Sequence, residues 1–583
     1  MPLPWTNEEL GRQLGEIAEL LKLAGADRFR VRAYERARDA VNAATLDLGA
    51  LDADALNALP GIGGSTATKI VEFQQSGEIG MLAELREQVP PGLIALVQVP
   101  GLGPKTARQL YDELGVDSLP ALRDALDSGR IRRLPRLGLK TEENLRTGLA
   151  RLEATATPRT PLDDVIGVAN ELLARVRALP HVQQAELAGS ARRMRDTVRD
   201  LDVLIATDDA PGVLAAVAQD GLVREVVASG DTKLTVRIVR DLQVDVRAVA
   251  PESWGAALVY FTGSKAHNVR IRERALRNGA TLNEYGVYSR EEGDRLAGAD
   301  EQEVYAALGL AWIPPALRED RGEVDAAADG DFGDIVAIEH LCGDLHGHSD
   351  WSGDGKASMA QMAAAAAEAG LDYWAVTDHA EALAINGLTA AQFEQRRVAL
   401  RHLDDQIELT LLDGAELNIG GSGELDYDDE VLARFDFCVA SVHTALGRDA
   451  DAQTARIIRA MQHPSVHAIG HLTGRKIGKR PGFEVHLDQI LEAALQTGTA
   501  LEVNASPRRL DLSDEHVRRA VDAGVTLTVS SDAHHPADLL NLRYGVGTAQ
   551  RGWARRDDVL NCRDVEGLRE FVERKRRWRN GRA

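Results

Sequence analysis

The pattern of apolar and polar positions divides the chain into three parts. Over the first 150 residues, short amphipathic helical stretches are interrupted by Gly and Pro. From about 160 to 250 the pattern predicts strands, because LDVLIAT (201–207) and QVDVRAV (243–249) alternate or run β-branched. After residue 340, apolar strand-like runs alternate with helical stretches, which is typical of a parallel βα barrel with its active site at the carboxyl ends of the strands. We therefore predict a multidomain α/β protein.

Charge and cysteine content narrow the class of protein. The net charge of −22 lies mostly outside residues 1–300, which hold 38 Lys and Arg against 43 Asp and Glu. A near-neutral front part can bind DNA if backbone amides contact the phosphates. The acidic, Gly- and Ala-rich stretch 319–339 predicts a solvated linker. Cys342, Cys438 and Cys562 are far apart, which fits a reducing cytosol and excludes a cysteine-based zinc site.

A repeated phrase in the first part points to DNA. Hydrophobic-Pro-Gly-hydrophobic-Gly occurs in LPGIGGSTATKI (59–70) and VPGLGPKTARQL (99–110), with a weaker copy at 134–145. Glycines permit positive φ and let a phosphate approach the amides of the next helix. An ordinary helical hairpin explains one copy, but two good copies resemble the helix-hairpin-helix family. That resemblance implies sequence-independent DNA binding through Gly61, Gly63, Gly101, Gly103 and Lys105.

The segment 187–207 carries a candidate phosphoryl-transfer site. Asp200 and Asp202 are two apart on a predicted strand, so both carboxylates face the same way, and Asp245 on a neighbouring strand completes a cluster. Crowded acids repel one another unless divalent cations lie between them, which suits a two-metal site. Upstream, Gly189 and Ser190 form a turn able to hold a triphosphate that Arg193 can neutralise. The alternative is a sheet edge with solvated acids.

The residues around these acids favour the two-metal catalytic site over a solvated sheet edge. GS-x-x-R, D-x-D and a third Asp resemble the nucleotidyltransferase palm, and with YFTGSKAHNVRIR (260–272) they resemble family X DNA polymerases. The resemblance implies template-directed gap filling in DNA repair, with Mg²⁺ or Mn²⁺ at the palm and dNTPs and gapped or nicked DNA as partners. It also implies a thumb whose residues contact the nucleotide, namely Tyr260, Phe261 and Gly263 at the sugar and Asn268 and Arg272 near the nascent base pair.

Lys69 follows the first hairpin, in ATKIVEF. It aligns with the Schiff-base lysine of the 5′-deoxyribose-phosphate lyase domain of family X polymerases. A lysine held near an aldehyde sugar forms an imine if its pKa is lowered. The alternative is a lysine that only contacts phosphate, and the sequence leaves both open.

The last part of the chain carries a second constellation of metal-ligand residues. Its nine members lie at the ends of successive predicted strands, and they are His346, His348, Asp354, His379, Glu416, His443, His471, Asp532 and His534. Histidine and carboxylate without thiolate suit Mn²⁺, Zn²⁺ or Fe²⁺. The set resembles the PHP family of phosphoesterases, which implies a distorted barrel binding up to three such ions. In HSDWSGDGK (348–356) an extra residue precedes Asp-Gly, so Asp354 is the choice and Asp350 an alternative.

Together these motifs predict six segments: 1–85 helix-hairpin-helix and lyase-like, 86–155 second helix-hairpin-helix, 156–250 palm, 251–318 thumb, 319–339 acidic linker and 340–583 PHP domain. The PHP domain is expected to be a 3′–5′ exonuclease, with abasic-site cleavage as a further activity. Alternatives are a DNA-end-processing nuclease with weak synthesis, a DNA-end scaffold without turnover, and a PHP domain acting on small phosphate esters. Without a signal or a membrane span, we expect a monomeric, cytoplasmic, nucleoid-associated protein.

Overall fold

A computed structural model describes residues 7–24, 26–43, 48, 51–59, 61–89, 93, 96–97, 99, 101–135, 137–154, 159–330, 332–383 and 386–580. The chain divides into two compact units, 1–158 and 159–583, which are described separately. Within the described ranges, no helix is long and apolar enough to cross a membrane.

The first unit is helical, as the sequence predicted. Its helices are α1 Asn7–Leu23, α2 Arg28–Ala43, α3 Ala53–Ala58, α4 Gly64–Ser76, α5 Gly80–Gln88, α6 Pro104–Leu114, α7 Leu119–Asp127 and α8 Leu139–Ala154. Gly61 and Gly101 have φ of +92° and +87°, a conformation that favours glycine. Gly63 and Gly103 then cap the N-termini of α4 and α6. Both good copies of the repeated phrase therefore form the expected hairpin turns.

The second unit begins with a mixed sheet, the palm. Its elements are β1 Thr160–Pro161, α9 Leu162–Arg177, β2 Val182–Leu187, α10 Gly189–Arg192, β3 Thr197–Val198, β4 Leu201–Thr207, α11 Ala210–Ala218, β5 Val223–Ser229, β6 Lys233–Ile238 and β7 Gln243–Val249. Five strands form a sheet in the order β2-β4-β7-β6-β5, in which β4 and β7 are parallel neighbours and the other pairs are antiparallel. β1 and β3 pair separately. Apolar side chains of α9 and α11 pack into the same core as the sheet.

The thumb follows the palm and is tied to it by a buried ion-pair network. Its elements are α12 Trp254–Thr262, α13 Lys265–Arg277, β8 Ala280–Asn283, β9 Gly286–Ser289, β10 Arg295–Ala297 and α14 Glu301–Ala307. Glu301 accepts hydrogen bonds from both Nη atoms of Arg192, at 2.8 and 2.9 Å, and one from Arg318 at 2.7 Å. Because Arg192 belongs to α10, this network fixes the turn beside the predicted catalytic aspartates against the thumb.

The stretch 319–339 differs in part from the solvated linker that its charge suggested. It contains α15 Glu323–Asp329, and Glu323 is fully buried with its carboxylate 2.7 Å from His267 Nδ1. Glu319 bonds to Arg193 of the palm and Arg551 of the barrel. Glu323 is thus a buried acceptor and Glu319 a half-buried one, whereas the other acids described in this stretch are exposed, namely Asp320, Asp325, Asp329, Asp334 and Glu339.

Residues after 340 form the predicted parallel barrel. Its elements are β11 Gly343–Gly347, α16 Met359–Glu368, β12 Tyr373–Val376, α17 Ala390–Asp404, β13 Thr410–Asn418, α18 Asp429–Leu432, β14 Phe437–Ser441, α19 Ala450–Met461, β15 Ala468–Ile469, α20 Leu487–Thr497, β16 Ala500–Asn504, α21 Asp514–Ala523, β17 Leu527–Ser530, α22 Leu542–Arg551 and α23 Val565–Asn580. The seven strands follow one another in chain order, all parallel. A bridge between Gly347 and Ala533 nearly closes the barrel.

The palm and the barrel share a core. Leu510 and Tyr544, which are buried barrel residues, pack into the apolar cluster formed by α9 and the palm sheet. At the rim, Arg508 Nη2 lies 2.9 Å from Asp164 of α9. Packing of this kind fixes the two candidate sites, one on the palm and one at the barrel mouth, on a common scaffold.

Candidate functional site

The palm strands bring the three predicted aspartates together. Asp200 directly precedes β4, Asp202 is the second residue of that strand, and Asp245 is its register partner on β7. Strand alternation places Asp200 and Asp202 on one face. Parallel pairing of β4 and β7 then sets Asp245 beside Asp202, so one edge of the palm carries three acids.

The charges on this edge are strongly perturbed. Burial, followed by the neighbouring Asp200 and Asp245, raises the pKa of Asp202 to about 7. Burial also opposes ionisation of Asp245, but hydrogen bonds from Lys233 Nζ at 2.8 Å and Thr235 Oγ1 at 2.7 Å outweigh it and lower its pKa. A divalent cation between the carboxylates would favour the ionised form of each. The donor set therefore fits oxygen-ligated metal ions.

Gly189 is required where it stands. Its φ is +57°, and a Cβ at this position would lie 2.0 Å from Asp202 Oδ2. The turn that begins at Gly189 thus lies directly against the Asp202 carboxylate, and binding of a triphosphate there stays a prediction. The backbone amide of Ala188 also donates to Asp202 O at 2.8 Å and holds this turn to β4.

Arg193 has partners that the sequence did not predict. Its Nε lies 2.9 Å from Glu319 Oε1, and its Nη1 donates to the carbonyl of Thr262. Glu319 is in turn 2.8 Å from Arg551 Nη1, on the last turn of α22. The positive charge of Arg193 offsets only part of the rise that burial and the neighbouring acids cause in the pKa of Asp202. To contact a triphosphate, Arg193 would have to exchange Glu319 for the new anion.

The predicted thumb residues form one cluster. The rings of Tyr260 and Phe261 meet edge to face with centroids 5.1 Å apart, and Arg272 lies 6.0 Å above the Tyr260 ring. Asn268 donates to the Tyr260 carbonyl at 2.7 Å, whereas its own Oδ1 is buried without a hydrogen-bond partner in the described part of the chain. Gly263, with φ of +66°, ends α12 beside this cluster. The five residues are therefore neighbours, as the motif implied.

The nine candidate ligands of the second set lie together at the barrel mouth, with the carboxylate of Glu416 at their centre. Glu416, at 1% exposure, lies 2.7 Å from His379 Nδ1 through Oε2. Its Oε1 lies 3.2 Å from His443 Nε2 and 3.1 Å from His471 Nε2. Burial alone would raise its pKa, but the surrounding histidines hold that pKa well below the usual range. Glu416 and Asp354 in turn raise the pKa of His379 to about 10 despite burial.

Three overlapping groups in this mouth have metal-ligand geometry. They are His348, Asp354, His379 and His534; His346, His348 and Glu416; and His379, Glu416 and His443. Asp532 lies 3.3 Å from His348, and His471 contacts Glu416, so both border the groups. Several buried ligand atoms have no hydrogen bond among the described residues, namely His346 Nε2, both ring nitrogens of His348 and Glu416 Oε2. Unsatisfied buried acceptors and donors of this kind fit bound metal ions.

The irregular loop after β11 directs Asp354 into the site. Asp354 Oδ2 lies 3.0 Å from His379 Nε2 and 3.2 Å from His534 Nε2, whereas Asp350 is exposed. Gly355 makes the turn possible, because a Cβ there would lie 1.9 Å from the Ser349 carbonyl. The geometry therefore favours Asp354 over Asp350 as the candidate ligand.

Sequence reasoning missed residues that orient the ligands. Glu502, fully buried on β16, accepts from His346 Nδ1 at 2.6 Å, and Asn418 Oδ1 lies 2.7 Å from His443 Nδ1. Such partners fix which ring nitrogen faces the metal. Arg509 lies 3.5 Å from Asp532. Glu502 lies in the apolar run ALEVN (500–504), so the sequence pattern could place it on a strand but gave no signal of its role.

The first unit has its own cavity, next to Lys69. The cavity measures about 430 Å³ and is lined by Arg30, Tyr34, Ser65, Lys69 and Glu72 among others. Lys69 is half-buried on α4, and the Tyr34 hydroxyl lies 3.2 Å from Met81 Sδ. The lysine therefore faces a space that can admit a sugar phosphate.

Four family models match separate parts of the chain. A helix-hairpin-helix domain matches residues 5–79, and a SAM-like helix-hairpin-helix tandem matches 93–151. The DNA polymerase beta thumb matches 257–319, and the PHP domain matches 344–506. These matches confirm the helix-hairpin-helix, thumb and PHP predictions in the order in which the sequence placed them.

Curated relatives agree with these matches. The DNA polymerase/3′-5′ exonuclease PolX of Bacillus subtilis is 37% identical over 572 residues, covering 97% of this chain and 99% of the relative. A probable phosphatase of Vibrio campbellii is 28% identical over 209 residues, 34% of this chain and 80% of that protein. Since the first similarity spans both units, the chain belongs to the PolX family of bacterial family X DNA polymerases with a C-terminal PHP domain.

Proposed function

We propose that this DNA polymerase and 3′–5′ exonuclease performs its two reactions at two separate metal centres, one on the palm and one at the barrel mouth. The observation that carries the proposal is the presence of two crowded sets of ligand side chains within one unit. Asp200, Asp202 and Asp245 form the first, and the set around Glu416 forms the second. Metal ions bound there would polarise the reacting phosphate and activate the attacking oxygen.

At the palm, the chain's own residues position the primer and the nucleotide. Mg²⁺ or Mn²⁺ would be held by the three aspartates. Asp245, fixed by Lys233 and Thr235, is assigned to the primer side. The turn of Gly189 and Ser190 would hold the triphosphate through backbone amides. Tyr260, Phe261 and Gly263 would contact the sugar, while Asn268 and Arg272 would lie at the nascent base pair.

At the barrel mouth, the nine candidate ligands, with Glu416 at their centre, would hold up to three ions of Mn²⁺, Zn²⁺ or Fe²⁺. Glu502 and Asn418 orient His346 and His443, so that the opposite ring nitrogens face the ions. A DNA 3′ end is the substrate that best matches the rest of the chain, and a blocked 3′ terminus or an abasic site would present the same phosphodiester chemistry. Small phosphate esters, suggested by the phosphatase relatives, are disfavoured by the DNA-binding first unit.

The first unit supports a gapped or nicked DNA substrate. Its two glycine turns present the amides of α4 and α6 to solvent without a side chain between them, and a Cβ on Gly101 or Gly103 would meet no atom within 4 Å. Lys105, on the first turn of α6, adds a positive charge beside the second turn. Contacts of this kind are to phosphate and carry no sequence preference.

A 5′-deoxyribose-phosphate lyase is the second candidate activity, favoured by the cavity beside Lys69. Its lining offers a nucleophilic amine together with Arg30, which could hold the 5′-phosphate, and Tyr34, which could pack against the sugar. The imine would form between Lys69 Nζ and the C1′ aldehyde with loss of water. β-Elimination would then release the 5′-phosphate end.

The two-centre proposal predicts that the activities separate. Asp200→Ala with Asp202→Ala should lower nucleotide addition by at least about 100-fold, since it removes metal ligands outright. His346→Ala with His348→Ala should do the same to exonuclease activity. Each double variant should retain the other activity within about twofold, because the sites share no ligand. Glu291→Ala with Glu292→Ala, which removes two exposed thumb acids, is the control. Loss of both activities in a folded aspartate variant would contradict two independent centres.

The loop geometry predicts unequal roles for its two acids. Asp354→Ala should reduce both bound metal and exonuclease rate by at least about tenfold, because its carboxylate contacts two histidine ligands. Asp350→Ala should change neither, because its side chain is exposed. Metal content per chain and hydrolysis rates of the two single variants check this. A larger effect of Asp350→Ala would overturn the assignment.

The lyase proposal predicts a covalent adduct at one residue. Borohydride should trap the protein on a 5′-deoxyribose-phosphate substrate, and both Lys69→Ala and Lys69→Arg should abolish the adduct. The arginine variant keeps the charge for phosphate but cannot form a reducible imine, so it separates the two roles. An adduct of normal yield in Lys69→Arg would restrict Lys69 to phosphate contact.

A further inference from the structure

A second cavity opens beside the barrel metal centre. It measures about 290 Å³, and its lining includes Asp532 and His534, two of the nine candidate ligands. Lys476 and Arg509 also line it, and we call this pair the cationic wall. The segment carrying Lys476 follows β15, and Arg509 follows β16, so both cations come from loops at the carboxyl ends of adjacent strands.

The two cations in this wall are poorly compensated. Lys476 makes no ion pair and no side-chain hydrogen bond with any residue in the ranges that the structure describes. Burial, followed by repulsion from Arg509, Arg480 and Lys479, lowers the pKa of its ammonium to about 8. Among the described residues, the one acid that forms an ion pair with Arg509 is Asp532, at 3.5 Å, and Asp532 is itself a candidate metal ligand.

The remaining acid of the cavity does not neutralise this wall. Asp538 accepts hydrogen bonds from the backbone amides of His534 at 3.2 Å and His535 at 3.0 Å. Like charges held together in a partly buried wall repel one another unless an anion joins them. The wall is therefore built for a negatively charged ligand that enters from solvent.

A third cation of this cavity, Arg508, lies next to the palm. Arg508, at the rim of the same cavity, bonds to Asp164 of α9 at 2.9 Å, and Asp163 lies 4.0 Å from its Nε. Among the described residues, the side chain of Lys476 makes no ion pair and no hydrogen bond with any of the nine candidate ligands, so its ammonium is free to bind a phosphate other than the one at the metals. Two anions, one at the metals and one at the wall, would belong to neighbouring positions of one polymer.

We infer that Lys476 and Arg509 form a subsite for a second backbone phosphate of a DNA strand, next to the phosphodiester held at the metal centre. This inference rests on the proposed exonuclease function of the barrel and names its substrate class as a polynucleotide. A phosphate monoester or a mononucleotide offers no second phosphodiester for the wall. The subsite thus gives the barrel a means of favouring DNA over the small esters that a bare metal centre would also hydrolyse.

The test compares a long and a short substrate on the full chain. Lys476→Met, which keeps the length of the side chain and removes its charge, is assayed on a single-stranded oligonucleotide and on bis(p-nitrophenyl) phosphate, both with Mn²⁺. KM for the oligonucleotide should rise about tenfold, the cost of one charge-assisted contact. The slope of log KM against log salt concentration should fall by about one, because one fewer counterion is released when the DNA binds. Hydrolysis of the small diester should change by no more than about twofold, since it lacks the second phosphate.

Three controls separate the outcomes. Lys476→Arg should restore the wild-type KM, and Arg401→Met, an equal loss of charge at an exposed site on α17, should leave it unchanged. Bound metal per chain should be the same in all variants. An equal loss on both substrates, or an unchanged oligonucleotide KM in Lys476→Met, would overturn the subsite. Failure of the wild-type chain to hydrolyse either substrate would instead contradict the proposed exonuclease function.

Discussion

The barrel depends on one buried carboxylate. Glu416 contacts His379, His443 and His471 within 3.2 Å and lies almost wholly out of solvent. A buried charge is costly unless opposite charge surrounds it. The seven parallel strands all end at the barrel mouth, and several of them place histidine side chains around Glu416 there. The fit of the site to metal ions follows from that concentration of charge.

The palm meets the same constraint with fewer residues, and it is not isolated from the barrel. Asp202 and Asp245 are register partners on parallel strands. Lys233 forms its ion pair with Asp245. Next to them, Arg193 is held by Glu319, and Glu319 by Arg551 of the barrel. One chain of ion pairs thus links Arg193 of the palm, Glu319 after the thumb and Arg551 of the barrel. Through these ion pairs the barrel helps to hold the palm in place.

The sequence predicted those features that short motifs encode. The glycine turns, the D-x-D strand and the nine candidate ligands lie in local patterns, and their placement at strand ends was enough to predict that the nine lie together. Features that depend on distant partners were not predictable. Arg193 meets Glu319 across 126 positions, and Glu502 meets His346 across 156. Most described acids of the stretch 319–339 are exposed, as predicted, but composition could not show that His267 and Arg551 provide partners for Glu323 and Glu319.

Anomalous diffraction from crystals soaked in Mn²⁺ tests most directly the claim that the two crowded clusters are metal centres. Mn²⁺ suits both sets of oxygen and imidazole ligands. The account predicts anomalous peaks among Asp200, Asp202 and Asp245, with a dNTP present, and up to three peaks around Glu416. Saturating Mn²⁺ that leaves both clusters without a peak, while the histidines and carboxylates keep their mutual contacts, would contradict it.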